Sequence, residues 1–225
     1  MAWGMTHTKV DNFDYAITLS TTPGMNGWTI SDTSAAGAPT YAGTSEDGGS
    51  VKLTCTNTSE AQNITLYQND VVNYDLDDIS NVWWVAKVSG VDAVTVVTLG
   101  VGSAQADDED TVATNAWFKI EGASSTSAVV CETDDGTTDN DDEATGKTLA
   151  AVYKRFLIDF SQGLSDVRFF IDGERVAAGT TFDMSSVSSG TNVQPYAQVG
   201  KASGTGTPAL QIAQFGITYK TSYGA

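Results

Sequence analysis

The 225-residue chain has one histidine, His7, and two cysteines, Cys55 and Cys131. A three-histidine metal site is therefore excluded, and a Ser–His–Asp hydrolase would have to rest on His7 alone. The cysteines lie far apart in strand-like runs, VKLTC and SAVVCE, and read as two buried free thiols. Basic residues are also scarce. Eleven Lys and Arg against 28 Asp and Glu leave a net charge of −17, with no local basic patch, so nucleic acid is not an expected partner. No run approaches the roughly 18 apolar residues of a membrane span, so no membrane is expected. The opening MAWGMTHTKVDNFDY lacks the apolar stretch of a secretory signal. Synthesis in a cytosol is the expectation, and the sequons at Asn57 and Asn63 are read as chance matches.

Helix signals are thin, and proline is limited to four residues against 22 glycines. What remains is strand. Phe13–Leu19, Val51–Cys55, Ile64–Tyr67, Val82–Val88, Ala93–Val101, Ala116–Ile120, Ala128–Cys131, Val152–Phe160, Val167–Ile171, Tyr196–Val199 and Leu210–Tyr219 are short runs rich in β-branched and aromatic residues. Gly, Ser, Asp and Thr bound them. Asp172-Gly173 between apolar runs predicts a two-residue hairpin turn, which needs positive φ at both central positions. About a dozen strands without a long helix make an all-β, antiparallel two-sheet β-sandwich. One domain over residues 13–225 is expected, preceded by a separable N-terminal arm, residues 1–12.

Two loops concentrate the acids, Asp107–Asp110 and Glu132–Glu143. Carboxylates at this density are the ligand type calcium takes, with Asp134, Asp135, Asp139, Asp141, Asp142 and Glu143 as candidates, although the spacing is not that of an EF-hand. Otherwise these are solvated turns that keep sheet edges from pairing with other chains, and no cofactor is required. Glu132 and Asp134, two apart on one strand, face the same way, as a glycosidase pair would. The following Asp-Gly turn puts them at a strand end rather than in a cleft, and a third acid is missing, so no catalytic residue is assigned. Trp28, Trp83, Trp84 and Trp117 could make a sugar-stacking platform; three of them sit in apolar runs, which favours core packing. Trp3 and Met5 are large apolar residues in a polar segment and are the candidate anchors for a partner chain.

The succession Thr148–Leu149, Phe156-Leu-Ile-Asp-Phe160, Asp166-Val-Arg-Phe-Phe-Ile-Asp-Gly173, Phe182-Asp-Met-Ser185, Gln194-Pro-Tyr196, Lys201-Ala-Ser-Gly-Thr205 and Leu210–Tyr219 resembles the concanavalin A-like (lectin/glucanase) jelly-roll proteins encoded among tailed-bacteriophage structural genes. Gly27-Trp28, Gly48-Gly49, Trp117–Ile120 and Thr133–Gly136 are compatible with it. The resemblance implies a jelly-roll β-sandwich and a virion structural role: a capsid decoration or cement protein on the surface of the major capsid protein shell, as a homo-oligomer. A lectin-like module for a host-surface glycan is the alternative it implies, and a polysaccharide hydrolase the third. Laminarinase-type glucanases carry Glu-x-Asp-x-x-Glu; here Glu132-x-Asp134 is followed by Asp135, Gly136 and Thr137, so catalysis is not carried over.

Overall fold

The computed structural model describes residues 3–14, 19–69 and 71–223, excluding the side chains of Trp3, Gly4, Ser222 and Tyr223. Its strands are β1 (Trp3–Asp11), β2 (Thr29–Asp32), β3 (Thr40–Thr44), β4 (Ser50–Thr54), β5 (Gln62–Tyr67), β6 (Tyr74–Asp75), β7 (Ile79–Ser89), β8 (Thr95–Gly102), β9 (Asn115–Glu121), β10 (Ala128–Asp134), β11 (Asp139–Thr148), β12 (Lys154–Asp159), β13 (Arg168–Ile171), β14 (Glu174–Val176), β15 (Asn192–Lys201) and β16 (Ala209–Tyr223). They form two antiparallel sheets of eight strands. The first runs β14-β13-β12-β7-β16-β4-β3, with β1 also on β16; the second runs β11-β10-β9-β8-β15-β5-β2, with β6 on β15. Helix among the described residues is limited to single 3-10 turns, such as Glu109–Thr111.

Period-two alternation explains the layering. Val82, Trp84, Ala86 and Val88 of β7 and Phe156 and Ile158 of β12 point inward, where Val97, Leu99 and Val101 of β8 and Phe118 and Ile120 of β9 meet them in one core. Trp28 lies edge-on to Phe215 at 5.4 Å, and Trp84 is 4.7 Å from the same ring. Asp172 and Gly173 take φ values of 51° and 83° between β13 and β14, the hairpin expected of Asp-Gly.

Several segments differ from expectation. Residues 3–11, read as part of an arm, are a strand whose full length pairs with β16, from Trp3 opposite Tyr223 to Asp11 opposite Phe215. Buried Asp11 ties that strand down: it accepts from the Trp28 Nε1–H at 2.7 Å, from Asn26 and from the Phe13 amide. Phe13 itself has φ of 52° and belongs to no strand; residues 15–18 of that expected strand lie outside the described residues. Val152 is 53% exposed, and β12 begins only at Lys154. The acidic stretch over Asp139–Thr148 is a ten-residue edge strand, not a turn. Both cysteines are free and buried. Burial pushes the Cys55 thiol up to about 11 and the Cys131 thiol well above its usual range, so neither is a ready nucleophile.

Candidate functional site

The outer face of the second sheet collects the residues that alternate with its core positions. Register sets them in rows. Thr65, Gln198, Thr98, Lys119 and Val130 form one row, and Tyr67, Tyr196, Gly100, Trp117 and Glu132 the next. Gly100 permits the second row. A Cβ there would stand 2.1 Å from the Ala116 carbonyl oxygen and 2.5 Å from Trp117 Cβ. Trp117 and Tyr196 therefore come together at 5.4 Å across it.

The segment between Gly102 and Asn115 folds over these rows. Its base is closed by the Ser103 amide donating to Thr114 at 2.8 Å. Tyr196 OH and Gln198 Nε2 donate to the Ala106 carbonyl, and Asn63 Nδ2 donates to the Asp107 carbonyl at 2.7 Å. Thr33 donates to the Asp107 carboxylate. Val112 packs on Trp117 and Tyr196 with Ala106 beside them, a small cluster separate from the main core.

At one end of this cover sits Lys119, only 3% exposed. Its Nζ lies 2.5 Å from Asp110, 3.3 Å from Glu109, 3.5 Å from Glu132 and 4.0 Å from Asp142. Burial alone would lower the Lys119 pKa; Asp110, Glu109 and Glu132 more than reverse that and hold the ammonium charged. Glu132, 2% exposed, is pushed up to about 7 by burial, with Lys119 opposing and Asp110 adding repulsion. Burial raises Glu109 in the same direction.

Beside the cover an open groove of about 380 Å³ runs along β5, β15 and β8. Val94, Val96 and Gly200 make its floor, with Asn63 and Gln198, Glu121, and the acids of the covering segment around it. The volume falls within the roughly 300–1,000 Å³ usual for small-ligand sites. No aromatic side chain lines it.

The structure redistributes the residues singled out in the sequence. Asp107–Asp110, read as a solvated turn, is the cover, with Glu109 buried against Lys119. Of the tryptophans, Trp28 and Trp84 are inter-sheet core, and Trp83 lies on the outer face of the first sheet, donating to Gln214 at 2.9 Å. Trp117 is buried under the cover rather than between the sheets. Glu132 and Asp134 share a face at the end of β10, with Glu132 engaged by Lys119.

The calcium candidates do not converge on one point. Asp135 accepts from the Thr137, Thr138 and Ser186 amides, and Glu143 accepts from Thr180. Asp139 is pushed up to about 6 by burial and by neighbouring Asp141 and Asp134. No three His, Cys, Asp or Glu side chains among the described residues are grouped to hold a metal ion. Met5 is 52% exposed on β1; the Trp3 side chain lies outside the described residues. Sequence reading missed Lys119 and Gln198; the available signal was a lysine flanked by Trp117, Phe118 and Ile120, whose burial demands charge partners.

No protein-family model matches the chain, and no curated protein matches its sequence. Solved structures do match in shape. A family 16 endo-glucanase from Bacteroides ovatus superposes with a TM-score of 0.64 at 10% identity, covering 93% of this chain and 99% of that one. The Emp46p carbohydrate recognition domain in its potassium-bound form gives 0.57 at 11% identity, covering 93% and 94%. The Crh5 transglycosylase gives 0.51 at 16%, covering 93% and 83%. The chain thus has the concanavalin A-like jelly-roll sandwich of these carbohydrate-recognition and glycosidase structures.

Proposed function

We propose that the protein is a carbohydrate-recognition module that holds a glycan on the outer face of its second sheet without cleaving it. The observation that carries this reading is the groove beside the 103–114 segment. Side-chain amides of Asn63 and Gln198 and the carboxylate of Glu121 stand around an apolar floor of Val94 and Val96. The Glu121 carboxylate can accept from sugar hydroxyls, the Asn63 and Gln198 amides can donate to them by giving up the Ala106 and Asp107 carbonyls they now hold, and the floor can accept the C–H face of a ring. Supporting the reading at the level of fold, the structural neighbours include a carbohydrate recognition domain. Binding without hydrolysis is favoured because Glu132 is buried and ion-paired to Lys119, whereas hydrolysis needs two carboxylates facing a sugar bond about 5–10 Å apart. A glycan array is the test, followed by titration of any hit against Gln198→Ala and Asn63→Ala. At least tenfold weaker binding by these variants is expected. An array without hits, or reducing ends released from laminarin, would overturn the proposal.

A second reading has its own observation. The β1–β16 pairing continues beyond the last residue paired to β7, as a ribbon to Trp3 and Tyr223, and Met5 and Val10 on β1 are exposed. Such a ribbon suits a bacteriophage virion structural protein gripping a major capsid shell as a homo-oligomer, with the charge of −17 keeping free copies apart. Capsids that resist heat equally well with and without the protein would refute it. The two roles are compatible, since a shell-bound module can present its glycan face outward.

A further inference from the structure

We propose that the 103–114 segment is a displaceable lid, closed over Trp117 and Tyr196 in the free protein, and that its release extends the groove across this aromatic floor. The proposal rests on the carbohydrate-binding reading and adds its regulation.

The lid is held mainly by polar contacts. Its apolar seat is limited to Val112 and Ala106 on Trp117 and Tyr196. The remaining grip comes from lid oxygens facing donors on the sheet: the Ala106 and Asp107 carbonyls to Tyr196, Gln198 and Asn63, and the Asp110 and Glu109 carboxylates to Lys119. A hydroxyl-rich ligand would use these same donors, so lid and ligand compete for one set of groups. Closure also leaves the face imperfectly paired. Thr98 Oγ1 and Asn115 Oδ1 are buried with no hydrogen-bond partner, and Glu132 is left to the Trp117 indole and a 3.5 Å ion contact to Lys119. Buried polar atoms without partners penalise the state that buries them. A segment closed at its base by one backbone hydrogen bond between Ser103 and Thr114 can leave without disturbing β8 and β9. Open, it would uncover the Trp117–Tyr196 pair, the kind of surface on which a sugar ring stacks.

The test compares the wild-type chain with a Glu109→Gln/Asp110→Asn variant, each first shown by circular dichroism to fold. Hydrogen exchange reads the lid without any ligand. The expected result is amide exchange in 103–114 about tenfold faster in the variant, with β8 and β9 unchanged. The same glycan array, probed with both proteins, should then give about tenfold tighter binding by the variant. Exchange in 103–114 as slow as in the flanking strands in both proteins would overturn the lid, as would equal binding of the same glycans by both. If neither protein binds any glycan, the carbohydrate reading fails, and the exchange rates alone decide whether the segment is a lid.

Discussion

At the scale of residues, two buried lysines show how an acid-rich chain uses its few cations. Lys119 gathers carboxylates from three parts of the chain, and the cost falls on Glu132. Below its unfolded value near about 4.3 both states hold the proton; between there and about 7 the folded chain keeps a proton that the unfolded chain gives up. The Glu132 contribution to stability is therefore largest on the acid side and is lost as pH rises through the folded value. Glu132→Gln should flatten the pH dependence of unfolding free energy between pH 5 and 7.5 and stabilise the protein above pH 7 by about 1–2 kcal/mol, measured by urea denaturation. A slope unchanged from wild type would rule this out. Lys201 works differently. Its ammonium shares three N–H groups among the carbonyls of Thr56, Thr58, Gly204 and Gly206, all at 2.5–2.9 Å, so a side chain occupies a cage of four oxygens and joins two loops. Lys201→Met leaves those oxygens without their donor and should cost about 3 kcal/mol in the same assay; a cost below about 1 kcal/mol would mean that the loops are tied elsewhere.

Among the elements, the β8–β9 pair and its connecting segment carry the functional argument. Gly100 is where close approach holds this pair together, since any Cβ there meets the Ala116 carbonyl and the Trp117 Cβ. Gly100→Ala should destabilise the fold by about 3 kcal/mol through overpacking and should loosen the Trp117–Tyr196 pair, seen as a change in near-ultraviolet circular dichroism. An unaltered spectrum and melting curve would show that the pair does not depend on this contact. Elements also mark how far sequence reading reaches. The Asp172-Gly173 hairpin was legible because its turn chemistry is local. The strand β11 was not, because Asp139–Thr148 has almost no apolar alternation; it forms by pairing with β10 through a bulged register that puts Asp142 at a φ of 48°.

For the molecule as a whole, β1 decides whether the amino-terminal residues are an appendage or part of the sandwich. Deleting residues 1–11 removes the β1 partner of Phe215–Tyr223, nine of the fifteen residues of β16, and takes away the Asp11 carboxylate that satisfies Trp28 in the core. A melting temperature lower by about 10 °C is expected, on the scale of 2–4 °C per kcal/mol for a domain of this size. A truncated chain melting at the wild-type temperature would return these residues to the status of an arm.

Composition and alternation by themselves determined the all-β class, the two-layer packing, the central tryptophans and the strongly acidic surface, because a period of two and a scarcity of helix signals are local properties that survive any register. The tertiary structure alone decided which acids are buried, that Lys119 meets Glu109, Asp110 and Glu132, and that Trp117 lies beneath a cover instead of in the core. Those facts depend on which strands become neighbours and in what register, and such long-range pairings are set by the packing of the two sheets as a unit.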